Sequence, residues 1–233
     1  MLSINKKILI SGCGFSWSGQ EKPTWVKLLK ILGNSITDVG GPAVSNQFIV
    51  NNVVEQLHAN EFDYAIVQLT NIGKLDVEIR SAEQQCKLVD NDSLRNFTYN
   101  NIWPSSISAE HFSKELYYRW LYSPNLEITS LWKDLILLSA YCKLKNCKLI
   151  VIQGYSINWT DEQKESLVDI LDTDKVLYND YKKGVYYSYH DSTNKNTVPC
   201  VEYQVSLAEE MSDLLELDIK LKINKIKKQL KIV

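Results

Sequence analysis

The sequence predicts a three-layer α/β domain, a parallel sheet covered on both faces by helices. Apolar runs of strand length recur at Ile8 to Ile10, Ile36 to Val39, Tyr64 to Leu69, Leu149 to Ile152 and Val176 to Tyr178. Stretches with helical spacing separate them, namely Trp25, Leu28, Leu29 and Leu32, then Phe48, Val53, Val54 and Leu57, then Leu131 to Tyr141. The chain has 233 residues, 45% of them apolar, which suffices to bury one full core, so a single domain is expected.

The first strand runs straight into a glycine-rich turn, KILISGCGFSWSGQ over Lys7 to Gln20, before the helix that carries Trp25. The second strand ends in DVGGPAVSNQ, with Gly40 and Gly41 just ahead of the second helix, and Asn71 follows the third strand in VQLTNIGK. Ligands of parallel α/β sheets gather beyond the carboxyl ends of the strands, so Gly12, Gly40 and Asn71 are expected to share one crevice. Residues Lys74 to Asn125 then break the rhythm with a polar patch, NDSLRNFTYNN, and an aromatic-rich stretch, IWPSSISAEHFSKELYYRWLYSPN. A helical insertion is expected there, either packing its aromatics on itself or forming a substrate-facing wall. The α/β domain is expected to span 1–216. Over 217–233, Ile219, Ile223, Ile226, Leu230 and Val233 alternate spacings of four and three, an amphipathic helix with a lysine-rich outer face. It either packs on the parent domain or pairs with a second copy in a homodimer.

Twenty-six basic residues stand against 28 acidic ones, a net charge of −2, which leaves no general basic footprint for nucleic acid. Small or neutral partners are favoured. The apolar run ahead of Gly12 is too short for a secretion signal, and no window approaches the ~18 apolar residues of a membrane-spanning helix, so a cytoplasmic protein without a transmembrane segment is expected. The five cysteines, Cys13, Cys86, Cys142, Cys147 and Cys200, form no C-x-x-C pair. That argues against a disulfide framework and a zinc knuckle, and most of the five suit small buried positions. No metal and no cofactor is expected.

The opening turn fails both nucleotide patterns. A phosphate loop needs lysine and a hydroxyl residue after its second glycine, but Gln20 and Glu21 follow Gly19. A dinucleotide turn needs a third glycine, where Trp17 stands after Gly12 and Gly14.

A third pattern fits better. The first block of the SGNH or GDSL hydrolases follows strand one as G-D-S-[LF]-[ST], often G-C-S-F-T, and Gly12-Cys13-Gly14-Phe15-Ser16 resembles it. The second block is a glycine after strand two, matched by Gly40 or Gly41, and the third an asparagine after strand three, matched by Asn71. The last block is D-x-x-H-P, followed by a residue five after the proline and a small residue four later; Pro199, Gln204 and Ala208 keep that spacing. The resemblance implies a flavodoxin-like α/β fold and ester chemistry on a carbohydrate or similar polyol. It also departs from the family. Gly14 stands at the serine nucleophile, Val198 at the catalytic histidine and Lys195 at the aspartate.

Slipping the first block by two residues restores a serine at Ser16, and His190, beside Asp191, is the best-placed histidine to act as base. His58 suits a structural place on its helix, while His111 in the aromatic stretch either touches substrate or packs. What the resemblance implies for the oxyanion is the amide of Gly40 or Gly41 together with the side chain of Asn71. Cys13 at a strand-to-helix turn is a second nucleophile candidate, but a small residue filling a tight turn explains it as well. Cys13, Gly14, Trp17 and Gly40 would line the substrate. Two functions therefore stay open. One is an O-acyl ester hydrolase or acyltransferase with Ser16 attacking, His190 as base, and Gly41 with Asn71 as oxyanion donors, the insertion's Trp and Tyr stacking on sugar faces. The other is a catalytically inactive protein on the same scaffold that binds a glycan or glycan precursor. Arg80, Arg95 and Arg119 suit either an acidic substrate or a solvated surface.

Overall fold

Four parallel strands form the sheet of this computed structural model, in the order β2-β1-β3-β6. The structure describes residues 6–14, 16, 18–19, 24–31, 35–41, 44–73, 75–78, 99–102, 122–154, 157–170, 201–215 and 217. Strand β1 (Lys7–Gly12) pairs with β2 (Ser35–Asp38) on one side and β3 (Tyr64–Leu69) on the other, and β3 pairs with β6 (Lys148–Gln153). All six residues of β3 are buried. Covered on both faces, the strand has no use for a polar alternation, and its apolar run is the result. The edge strand β2 alternates exposed and half-buried residues instead.

Period two sends successive strand residues to opposite faces. Leu9, Ala65, Val67, Leu69, Leu149 and Val151 meet helices α2 (Asn46–Ala59), α3 (Pro124–Leu144) and α4 (Asp161–Ile170). Ile8, Ile10, Tyr64, Ile66, Ile150 and Ile152 meet helices α1 (Trp25–Ile31) and α5 (Val201–Leu214). Each such aliphatic side chain contributes about 1.5–3 kcal/mol by leaving water, so the two clusters are what hold the three layers together. Because α1 and α2 lie on opposite faces, the chain reverses its winding between β1 and β3, which opens a crevice beyond their carboxyl ends.

The expected strands at 8–10, 36–39, 64–69 and 149–152 are all present, and the helix expected over Leu131 to Tyr141 extends to 21 residues with Pro124 at its first turn. Within the insertion the described residues include an antiparallel ribbon, β4 (Leu75–Glu78) paired with β5 (Tyr99–Ile102), where helix was expected and which no strand-length apolar run announced. The expected strand at Val176 to Tyr178, the aromatic stretch with His111, Arg80, Arg95 and Arg119, and the stripe from Ile219 to Val233 lie outside the described residues. No described helix is long and apolar enough to cross a membrane.

Candidate active site at the carboxyl edge of the sheet

The first corner is a tight turn closed on itself. Cys13 O accepts the N–H of Ser16 at 2.9 Å and the Ser16 hydroxyl at 3.0 Å. Ser16 is 1% exposed, so its oxygen lies beneath the turn, over Gly12, and not on the open surface. A Cβ on Gly12 would collide with Ser16 Oγ and stand 2.9 Å from Gln68 Cβ. Glycine at position 12 is therefore what lets the serine tuck in beside β3.

The second corner rests directly on the first. Gly41 N–H donates to Gly12 O at 3.1 Å, extending the β1–β2 pairing one step beyond the strands. A Cβ on Gly40 would lie 2.6 Å from Gly12 O and 3.0 Å from Gly12 N. Both obstacles are backbone, which cannot swing aside. Gly40→Ala is expected to cost about 1–3 kcal/mol of stability, read as a lower urea midpoint at unchanged slope.

Asp38 ties the two corners together, taking Ser18 N–H at 2.6 Å on one carboxylate oxygen and Gly40 N–H at 3.1 Å on the other. Lys30 Nζ reaches Ser18 Oγ at 3.0 Å from helix α1. An asparagine at 38 would keep one oxygen for one of these two N–H groups but turn an NH₂ toward the other. Asp38→Asn is thus expected to destabilise by about 1–2 kcal/mol and to speed amide exchange at one of Ser18 and Gly40 while the other keeps its bond.

Asn71 follows β3 on the exposed side of this edge. Its Oδ1 accepts the Gly73 N–H at 2.9 Å, which leaves the two Nδ2 hydrogens without a partner among the described residues. Behind it Asn46, in the first turn of α2, grips Thr70 through both ends of its amide, at 2.8 and 3.1 Å. Ser45 caps α2 by accepting from Phe48 N–H. The helix is thereby locked to the end of β3, holding Asn71 at the same edge as the glycine corners.

On the α1 face runs a buried polar chain that sequence reasoning caught only in part. Trp25 Nε1–H donates to Gln68 Oε1 at 2.9 Å, and Trp25 N–H donates to Gln204 Oε1 at 2.8 Å. Gln204 and Ala208 were singled out by their spacing. Gln204 supplies an acceptor to the start of α1, and Ala208 is buried in the α1–α5 layer. Gln68 was missed, although a lone amide within the apolar run YAIVQL was its signal. Because an indole N–H only donates, it fixes which way the Gln68 amide faces. Gln68 Nε2, Ser11 Oγ and Thr70 Oγ1 are buried without a hydrogen-bond partner among the described residues, all close to this edge.

The structure thus brings Cys13, Gly14, Ser16, Gly40, Gly41 and Asn71 to one edge of the sheet. Cys13 is 1% exposed, filling space under the turn, and Gly14 is half-buried. Trp17 and His190, with Asp191, Lys195, Val198 and Pro199, lie outside the described residues. His58 is exposed at the end of α2, its Nδ1 3.5 Å from Tyr141 Oη on α3.

No family model matches the chain, and no curated protein matches it. Among solved structures, 33 chains do. A variant of Axe2, an acetyl-xylooligosaccharide esterase from Geobacillus stearothermophilus, superposes with a TM-score of 0.50 at 12% identity, covering 89% of this chain and 93% of that one. The fold is that of the SGNH hydrolases. The psychrotrophic esterase EstA from Pseudoalteromonas sp. is also similar, with a TM-score of 0.49 and 15% identity over 91% of this chain and 97% of its own. TesA gives 0.48 at 9% identity, over 90% and 98%. At such identities the likeness speaks for the SGNH fold alone, and the chemistry rests on the residues themselves.

Proposed function

We propose that this SGNH-fold protein hydrolyses an O-acyl ester, removing a small acyl group from a carbohydrate or similar polyol at the crevice formed by the Gly12, Gly40 and Asn71 corners. Transfer to another hydroxyl instead of water would make it an acyltransferase. The observation that carries the reading is the backbone contact between the two glycine corners, beside an asparagine whose acceptor end is tied and whose donor end has no partner among the described residues. Such a donor suits the oxygen that gains charge as an ester carbonyl is attacked.

In this reading Ser16 attacks, His190 takes its proton, and Asn71 Nδ2 with the Gly41 amide holds the oxyanion, while Cys13, Gly14, Trp17 and Gly40 border the substrate. Two rearrangements are required. Ser16 must release Cys13 O, a neutral hydrogen bond worth about 0.5–1.5 kcal/mol, and must also swing its buried hydroxyl out from beneath the turn. Gly41 N–H must share or leave Gly12 O, so Asn71 is the readier donor.

A second reading, a glycan-binding protein without turnover, is favoured by the burial of the Ser16 hydroxyl and by Gly14 and Val198 standing where the resembling family has serine and histidine. The test is hydrolysis of p-nitrophenyl acetate by the full chain, alongside calorimetric titration with an acetylated xylo-oligosaccharide. Turnover above the buffer rate supports the hydrolase. Saturable binding with no turnover overturns it in favour of the second reading.

A further inference from the structure

Helix α3 ends in a Schellman motif. Asn146 takes φ 54, the left-handed conformation that asparagine tolerates better than most residues. Its N–H donates to Lys143 O at 3.1 Å, and the next N–H, that of Cys147, reaches back to Cys142 O at 2.9 Å. This pair of bonds brings the side chains of the two outer residues together, a contact that is ordinarily apolar. Here both residues are cysteines.

Cys142 and Cys147 are free thiols, 1% and 4% exposed, and the Cys147 thiol faces Lys148 O at 4.0 Å. Hydrogen bonding with the neighbouring Cys147 thiol, then burial, push the Cys142 thiol far above the ordinary range. The four residues between them, Lys143 to Asn146, are all exposed. The turn that joins the pair faces solvent, and fraying of a helix end is the least costly opening a fold offers.

We propose that Cys142 and Cys147 are a redox modification site, closing to a disulfide when the protein meets a small-molecule disulfide such as oxidised glutathione. As the turn frays, the Cys147 thiolate attacks one glutathione sulfur and expels the other as a thiolate, leaving a mixed disulfide. Cys142 then loses its proton, attacks the Cys147 sulfur and expels the second glutathione. Two protein thiols are oxidised, one glutathione disulfide is reduced to two thiols, and the two protons end on those thiols. The backbone bond across the pair already holds the two residues close, as a disulfide requires, and the closed ring restrains the unfolded chain. The pair sits at the start of β6, the end away from the crevice, so the proposal does not depend on the reading of the site.

The full chain is incubated with oxidised glutathione, unfolded, alkylated and digested with trypsin. Cleavage after Lys143 and Lys145 separates the two cysteines, so the disulfide appears as two peptides joined, released by dithiothreitol. A higher melting temperature of the oxidised protein, absent in Cys142→Ala and Cys147→Ala, is the second expected result. Both thiols found alkylated, a stable glutathione adduct on either, or pairing with another cysteine overturns the proposal. The wild-type peptide map decides even where the alanine variants fail to fold.

Discussion

In the hydrolase reading, alanine at Ser16 is expected to lower acetyl-ester turnover by at least about a thousandfold, because in that reading Ser16 is the nucleophile and carries the whole covalent step. Its effect on the fold is expected to be far smaller. The Ser16 N–H keeps its bond to Cys13 O, and only the hydroxyl's own bond is lost, worth about 1 kcal/mol. The two readouts therefore separate: kcat/KM for p-nitrophenyl acetate collapses while the urea midpoint moves slightly. Unchanged turnover with a shifted midpoint would make Ser16 a turn clasp and nothing more. In that event the glycan-binding reading gains, since Gly14 cannot take over the attack.

Phenylalanine at Trp25 is expected to destabilise the protein by about 2–4 kcal/mol, the sum of a cavity and an abandoned hydrogen bond. Trp25 is fully buried between α1 and the sheet, and its indole N–H is the partner of Gln68 Oε1. With that donor gone, the Gln68 amide has neither end paired among the described residues. Adding Gln68→Leu to Trp25→Phe is expected to recover part of the loss, because removing both members of a buried pair costs less than removing one. Urea unfolding of the four proteins of this cycle measures the coupling. A double variant as unstable as the sum of the singles would show that the hydrogen bond contributes nothing beyond packing.

How much of this was legible in the chain differs from element to element. Strand β3 was legible because a strand covered on both faces must be apolar throughout, and Tyr64 to Leu69 is, apart from Gln68. The glycine at position 40 was legible as a corner, but its reason, the 2.6 Å approach to Gly12 O, depends on a register that only pairing reveals. Asp38 and Asn46 went unread, since a carboxylate at a strand end and an amide in a first helical turn look like ordinary polar surface. Ser18, the distant partner of Asp38, and Thr70, the partner of Asn46, lie 20 and 24 residues away in sequence. The ribbon of β4 with β5 was missed because paired short strands in a polar insertion leave no apolar run to count.

Local periodicity and glycine placement by themselves determined the layers, the parallel sheet and the edge at which a ligand would sit, because hydrophobic burial has the same period as the backbone that carries it. Which atoms are open at that edge was decided only by the tertiary structure. Ser16 turns inward to Cys13 O, Gly41 spends its N–H on Gly12 O, and Asn71 keeps its donors, because hydrogen bonds are satisfied by whatever group the packed neighbours bring near, and sequence order does not say which group that is.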